Sequence, residues 1–537
     1  MKWKLLVLGI VMGMLPGCST RNFFQETALY TGQVPASYQE RVPSLQSPDT
    51  VLIKAGRHYR RSKLHTFFFG KHYRAVWDAP VPAPIFRPDK ISGGLEVTKL
   101  GGGFQTTSLT LENEKGAQYA LRTIDKTPDG VLPKMLQLPF IVNTIRDQSS
   151  AINPYGPFIL PPLSEAVGVF HTKPRLFFVP NNDVSLGEHA EKFRGKAVLF
   201  EHKYKNEEDH KPTFGEAVDF VNSQKMLRRR YKHGTHLPDQ HAFARARLFD
   251  VWVGDWDRHE NQWEWAEYQE EDRTLYKPIP KDRDQVFFKF NDGVIPWIAS
   301  RRFFIRKFRT FKMDFRDIEG LVFQANFIDE RALNELTAED WQRTALEMQA
   351  ALTDKVIEEA VRLFPDTVFR LVGAETIAKL KNRRDQLPEA AHRLYRLRSL
   401  KVTVPGSDGN ERFEVVRVND EKTSVTVVQV DEDDPSKKVQ LYSRIFDNKD
   451  TEEIILHGLE GEDAFHLKGQ ANRGIKITVV GGPGKDEVID ESAVRRGRKR
   501  VVVQDTVSGM EVEKGKNTEV RLSREVKVHA FDREGIR

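Results

Sequence analysis

Two aspartate-rich segments are the parts of this 537-residue chain best equipped for chemistry. The first is Gly254-Asp255-Trp256-Asp257-Arg258-His259-Glu260-Asn261-Gln262. The second, one short hairpin later, is Tyr276-Lys277-Pro278-Ile279-Pro280-Lys281-Asp282-Arg283-Asp284. Unpaired carboxylates are costly to bury, so such clusters bind a cation or shape a catalytic site. Phosphoryl transfer uses this combination. One Asp positions a hydroxyl nucleophile and accepts its proton, a nearby amide holds a metal ion, and an Asp on the next hairpin binds the ion that bridges the phosphates. Asp257, Gln262 and Asp282 supply those types in that order. His259 would orient the loop, and Asp284 would be an alternative or additional metal ligand. The competing reading is structural: a Ca²⁺ or salt-bridge knot in which Arg258 and Arg283 pair Asp255 and Asp284.

The elements that must carry these loops are legible from periodicity. Asp239 after Pro238 signals a helix start, and the helix runs over about 240–253 until Gly254. Upstream, strands are expected at Leu95–Leu100, Thr106–Leu111 and Gln118–Arg122, with a hairpin turn over Glu112–Gly116. A helix follows over Phe140–Ala151, then strands at Gly168–His171, Leu176–Val179 and Ala197–Glu201. Helical period returns at 328–364 and 374–397, with a capping box at Thr337–Asp340. Trp252, Trp256, Trp263 and Trp265 read as core. No H-E-x-x-H or paired-Cys pattern supports zinc, and no G-x-S-x-G elbow is present.

Asp257-Arg258-His259-x-x-Gln262 resembles the catalytic loop of HipA-type kinases and the D-R-H-x-x-N loop of phosphatidylinositol kinases. Ile279-Pro280-Lys281-Asp282-Arg283-Asp284 resembles the I-P-W-D-x-D segment of CotH-type kinases, and Leu163–Gly168 is similar to an apolar turn of the HipA group. The resemblance implies an atypical kinase that uses ATP with Mg²⁺ or Mn²⁺. Asp257 and His259 would then be catalytic, and Gln262, Asp282 and Asp284 would bind metal. Gly101, Gly102 and Gly103 would cover the phosphates. Arg122, with Lys126 four residues on, would stand where kinases place a lysine, and Glu201 would close the strand leading to an adenine-binding hinge. Asp147, Gln148 and Glu165 compete as the partner acid on a helix. Arg122 in place of Lys and Gln262 in place of Asn leave two readings open: a divergent kinase, or a kinase-like fold without catalysis that binds an envelope protein or glycan. A broader stretch, from Phe67–Gly70 through Leu121–Lys126 to Gly254–Trp263, resembles an uncharacterised region of Bacteroidetes-type envelope proteins.

The N-terminus indicates export. Lys2 and Lys4 precede an apolar run over Leu5–Leu15, shorter than the roughly 20 residues that span a bilayer. The run ends in Leu15-Pro16-Gly17-Cys18, which resembles a bacterial lipobox, and Cys18 is the chain's only cysteine. A lipid on Cys18, a membrane partner and an outer-membrane cell-envelope location are therefore expected. The net charge of +6 is small for the length, with acidic and basic residues interleaved, which gives nucleic-acid binding no support. Arg228-Arg229-Arg230 reads as a solvated face.

Beyond Lys401 short Val/Ile-rich runs alternate with turns and helical period is lost. Pro405–Gly409 reads as a flexible joint at the start of this region. Gly481-Gly482-Pro483-Gly484-Lys485-Asp486 matches the front of the Ca²⁺-binding G-G-x-G-x-D repeat, with Gly458–Asp463 a weaker copy. Asp463 and Asp486 are the candidate Ca²⁺ ligands, although the wide spacing favours a metal-free solenoid or sandwich. The expected fold is α+β: a two-lobed protein-kinase-like domain followed by an all-β (solenoid or sandwich) domain. Its divisions are a signal peptide (1–17), a tether and irregular segment anchored by Phe67–Phe69 and Trp77 (18–90), a β-rich lobe (91–205), a helical lobe (206–398) and the all-β domain (399–537).

Overall fold

The computed structural model describes residues 27–30, 49–101, 107–126, 138–204, 211–301, 304–430, 438–496, 500–507, 509–524 and 530–535. The expected signal segment, Cys18, Gly102 and Gly103 lie outside them. Among the described residues no helix is long and apolar enough to cross a membrane.

The segment expected to be irregular carries regular structure. Strands β1 (Ala28–Tyr30), β2 (Thr50–Lys54) and β3 (Val81–Pro84) form an antiparallel sheet, and helix α1 (Lys63–Phe69) lies in the β2–β3 connection. Trp77 is a buried anchor whose indole N–H donates to the Ile152 carbonyl at 3.0 Å. Phe67 and Phe68 are exposed, so they anchor nothing. α1 is one short helix, and its aromatic face is turned away from the core.

The β-rich lobe is a five-stranded antiparallel sheet. Strands β4 (Glu96–Gly101), β5 (Ser108–Glu112) and β6 (Gln118–Thr123) run as a meander, followed by β7 (Arg175–Val179) and β8 (Lys196–Lys203), in the order β4-β5-β6-β8-β7. β8 enters between β6 and β7, so Arg122 lies opposite Leu199 and Ala120 opposite Glu201. Helices α2 (Pro139–Gln148) and α3 (Leu160–Ala166) occupy the β6–β7 connection. Gly168–His171 forms no strand. It is the exit from α3, and Gly168 takes the left-handed conformation there (φ 68°).

In the helical lobe, a sheet of β9 (Asp219–Asn222), β10 (His236–Pro238), β11 (Trp263–Gln269) and β12 (Thr274–Pro280) packs on helix α4 (Ser223–His233) and helix α5 (Gln240–Val253). α5 is the central element. Asp239 caps it by accepting from the Ala242 N–H at 2.9 Å, and most of its residues are buried. Helices α6 (Ala338–Ala351), α7 (Ala374–Asp385) and α8 (Leu387–Ser399) pack against it. The Thr337–Asp340 capping box opens α6. Trp252, Trp263 and Trp265 are fully buried and Trp256 nearly so, as core residues. Arg230 is buried and Arg229 pairs with Asp219 and Glu267, so the arginine triplet is not a purely solvated face.

The C-terminal region is all-β. Strands β13 (Lys401–Pro405), β17 (Glu453–His457), β19 (Lys476–Val480), β22 (Val501–Thr506) and β24 (Thr518–Ser523) form one parallel sheet. Strands β14 (Glu411–Arg417), β18 (Ala464–Ala471), β20 (Asp486–Asp490) and β23 (Met510–Glu513) form a second parallel ladder, and the short β21 (Ala493–Val494) pairs with the end of β18. An antiparallel hairpin of β15 (Lys422–Val430) and β16 (Lys438–Asp447) extends that ladder. The chain alternates between the sheets, and inward Val, Ile, Leu and Phe from both share one core. The junction with the helical lobe is fastened. Tyr442 Oη and Arg444 Nη1 donate to the Asn334 carbonyl, each at 2.7 Å, and Arg444 Nη2 donates to Ser399 Oγ at 2.8 Å. Ser407, expected in a flexible joint, is fully buried and donates from its backbone N–H to Glu411 Oε2 at 2.8 Å.

Candidate active site

Gly254 ends α5 in the left-handed conformation (φ 73°), and a Cβ there would meet the Phe311 ring at 2.9 Å. The chain therefore turns sharply at the helix end, and residues 255–262 run back to β11. On the parallel path, β12 ends at Pro280 and delivers Asp282 to Asp284. Asp282 is itself left-handed (φ 56°), a conformation that Asp tolerates better than most residues.

The two loops are locked by one buried acid. Asp250, on the last turn of α5 and fully buried, lies 2.7 Å from Arg247, 3.4 Å from Arg258 and 2.8 Å from Arg283. Arg258 also donates to the carbonyls of Lys281 (2.7 Å) and Gln262 (2.8 Å), which ties the first loop to the second. Its guanidinium stacks over Trp263. The salt-bridge knot is therefore real but centred on Asp250: Arg283 pairs with Asp250 and not with Asp284. Asp255 is buried beside Arg258 at 3.7 Å, and burial pushes its carboxyl up to about 7.

This arrangement leaves Asp257, Asp282 and Asp284 for other work. All three lie close enough to act electrostatically on the Lys126 ammonium, which pairs with Asp284. Gln262 Nε2 donates to Asp282 Oδ2 at 3.4 Å and lies 3.5 Å from His259 Nε2. His259 in turn caps the short 3₁₀ turn at 260–262, accepting from the Asn261 N–H at 3.3 Å. Burial alone would raise the Asp282 carboxyl, but Arg122 and Lys126 outweigh it and hold Asp282 below the ordinary range. Asp284 is pushed up to about 6, chiefly by burial, with Lys126 opposing. Asp257 is half-buried, and among the described residues its carboxylate has no hydrogen-bond or ion-pair partner.

The opposite wall comes from the β-rich lobe. Arg122 pairs with Glu201, which also accepts from Thr172 Oγ1 at 2.8 Å. The Glu201 carboxylate is turned into the cleft against Arg122, and β8 continues to Lys203, so Glu201 does not end its strand as expected. Asp147 is taken by Arg74 (2.6 Å), Arg61 (3.2 Å) and His65 (3.1 Å) from the N-terminal segment, and Gln148 bonds His72 at 3.1 Å. Neither reaches Arg122. Glu201 is thus its acid. Gly101 ends β4, and its loop partners Gly102 and Gly103 are outside the described residues. The cleft bounded by Arg122, Ser164, Thr172, Glu201, Asp282 and Asp284 has a volume of about 20 Å³, room for about one water. The Lys126–Asp284 ion pair joins the two lobes near it.

Among the described residues no group of three or more His, Cys, Asp or Glu side chains is arranged to hold a metal ion. Mg²⁺ does not require such a cage, because it binds through one or two carboxylates plus substrate phosphates and water. Asp282 and Asp284 could supply such carboxylates, whereas Gln262, expected as a metal ligand, turns its amide N–H to Asp282 and so positions that carboxylate instead. In the C-terminal ladder, Asp463 Oδ1 accepts the Glu411 N–H at 2.8 Å and Asp486 Oδ1 accepts the Asp463 N–H at 3.0 Å. These candidate Ca²⁺ ligands are buried and already serve as backbone acceptors between successive coils.

Sequence reasoning missed Asp250 and the inward turn of Glu201. Asp250 had a signal: it interrupts the apolar run Leu248-Phe249-Asp250-Val251-Trp252-Val253, where a charge must be buried and therefore paired. No protein-family model matches the chain, and no curated protein matches it. Among solved structures, the Helicobacter pylori proinflammatory kinase CtkA is similar at 12% identity with a TM-score of 0.31, over 56% of this chain and 95% of that one. HipA in the Shewanella oneidensis MR-1 toxin–antitoxin complex is similar at 10% identity with a TM-score of 0.20, over 58% and 70%. At these scores neither likeness decides the chemistry of this chain.

Proposed function

We propose that this chain is a lipid-anchored envelope protein whose two-lobed, kinase-like domain binds a nucleotide with Mg²⁺ or Mn²⁺ and transfers a phosphoryl group. One observation carries the reading: two cations on the β-rich lobe, Arg122 and Lys126, face two carboxylates on the helical lobe, Asp282 and Asp284, beside the unpaired Asp257. A metal–phosphate unit satisfies both walls at once, since phosphates take the cations and the metal takes the carboxylates. The Lys126–Asp284 contact would be exchanged for those bonds as the cleft opens. Mg²⁺ supplies charge neutralisation on the phosphates. Asp257 orients the acceptor hydroxyl and takes its proton as the hydroxyl oxygen bonds to the γ-phosphorus. The bond from that phosphorus to the bridging oxygen breaks, and the nucleoside diphosphate leaves. Arg122 and Lys126 hold the phosphates in line, and Gln262 keeps Asp282 in place.

We read the C-terminal sheets as a β-solenoid that serves as a spacer, and Cys18 as the outer-membrane tether. The second reading, a non-catalytic domain that binds a protein or glycan partner, is favoured by the closed cleft and by Arg122 being occupied by Glu201. Calorimetric titration of the full chain with Mn²⁺–ATP separates the two. Binding that is lost in Asp282→Asn and kept in Asp257→Asn, with turnover lost in both, is the expected outcome. Absence of Mn²⁺–ATP binding by the wild-type chain would overturn the phosphotransfer reading.

A further inference from the structure

A second cavity is separate from the cleft between the lobes. It lies behind the first aspartate loop, has a volume of about 550 Å³, and is within the size range of small-molecule sites. Its wall includes Gly254, the residue from which the Asp255–Asp257 loop departs. Asp257 is three residues further on, so its Cα lies at most roughly 11 Å from that of Gly254. The same wall is packed on the loop: Phe311 covers Gly254, and Phe308 meets the Trp256 ring edge-on at 4.9 Å.

The cavity is cationic after its internal pairs are counted. Arg309 pairs with Asp317 and Arg316 with Asp314, each at 2.9 Å. Arg301, Lys312 and Arg383 then remain, and among the described residues none of them pairs with a carboxylate. Arg383 is buried at the cavity floor. Its guanidinium donates only to carbonyls: Val251 at 2.6 Å, Trp252 at 2.8 Å, and Lys312 and Asp314 at 3.1 Å. Asp314, already paired with Arg316, is the one carboxylate that acts on Arg383 electrostatically, so the lining keeps a net positive charge. Arg301 stands at the mouth, stacked 3.6 Å over the half-exposed Trp297 ring.

We infer that this cavity binds the phosphate group of the acceptor, whose hydroxyl would then reach toward the aspartate loop that leaves the cavity wall at Gly254. The acceptor class is therefore a hydroxyl compound that already carries a phosphate, either a soluble phosphomonoester or a lipid headgroup. Its status as acceptor rests on the phosphotransfer reading, whereas its binding does not. The mouth bears on the source: Trp297 lies on the helix at Val294–Ala299, which packs against α1 with its exposed Leu64 and Phe67. An apolar rim beside a basic cavity suits a headgroup presented at a lipid surface.

The test uses the full chain, chelator and two probes, so that no metal–nucleotide site contributes. Glycerol 3-phosphate is titrated calorimetrically, and co-sedimentation is compared on phosphatidylcholine vesicles with and without phosphatidic acid. The difference between the two vesicle types removes the contribution of the tether. The wild-type chain should bind at least one probe. The double variant Arg301→Glu/Lys312→Glu should bind it on the order of tenfold or more weakly, while Lys126→Met, in the inter-lobe cleft, should bind it normally. Soluble binding identifies a phosphomonoester and anionic-vesicle binding alone identifies a headgroup. Failure of the wild-type chain to bind either probe overturns the inference, as does binding that survives the double variant or is lost in Lys126→Met. Mn²⁺–ATP titration of the double variant keeps the two readings separate. Retained nucleotide binding with lost phosphate binding supports the cavity, and a wild-type chain that binds phosphate but no nucleotide sinks only the phosphotransfer reading.

Discussion

Replacing Asp250 with Asn should be the most damaging single-atom change available to the site, although Asp250 touches no substrate. The three guanidiniums around it differ in what remains after the charge is removed. Arg247 keeps Asp329 at 2.7 Å, and Arg258 keeps two carbonyl bonds and the Trp263 face. Arg283 keeps its stacking over Phe249 and the longer-range attraction of Asp255, because Asp250 is its one direct ion-pair partner among the described residues. Burial already lowers the Arg283 guanidinium to about 10 with Asp250 present. Breaking a buried pair from one side costs about 3–5 kcal/mol, because it strands an uncompensated charge. At about 2 °C per kcal/mol for a large domain, the expected loss in Tm is roughly 6–10 °C. Arg283 sits between Asp282 and Asp284, so Mn²⁺-dependent stabilisation should fall together with Tm. Thermal melts with and without Mn²⁺–ATP measure both effects. The double variant Asp250→Asn/Arg283→Met should recover part of the loss, since the stranded charge is gone. A single variant melting within about 1 °C of wild type, where roughly 6 °C or more is expected, would refute the idea that Asp250 organises the two loops.

The C-terminal carboxylate ladder predicts a pH dependence. Burial pushes Asp463 from 3.8 up to about 9, and Asp486 and Glu411 up to about 7. The folded chain then holds protons that the unfolded chain releases, so stability should fall as pH rises from about 4 to about 9. Asp463→Asn keeps an acceptor for the Glu411 N–H and removes the titration. Its melting temperature should depend less steeply on pH, and parallel wild-type and variant profiles would count against the ladder. Cys18→Ser should lose palmitate labelling and leave the membrane fraction, and unchanged labelling would remove the basis for the lipid tether.

Local elements were legible because their signals are local. Asp239 and Gly254 bracket α5 through side-chain capping and a left-handed turn, and the capping box at Thr337 needs only four residues. The alternation in β5 also marks that strand without reference to the rest of the chain. The two aspartate loops could be identified by residue type and spacing, because a cluster of carboxylates demands partners wherever it folds. Which partners it receives is a question of distance across the fold. Arg258 and Arg283 were free to pair with Asp255 and Asp284 as far as sequence goes. Only the packing of α5 beneath both loops puts Asp250 within reach of both arginines, which leaves Asp257, Asp282 and Asp284 without an arginine ion pair. Pairing across the sheet likewise turns Glu201 toward Arg122, because β8 enters beside β6 from far along the chain. The turn at Pro405–Gly409 has the composition of a flexible joint, yet Glu411 and the neighbouring coil bury it. Composition sets what each segment can do alone, and long-range contacts decide which of those options has the lowest free energy.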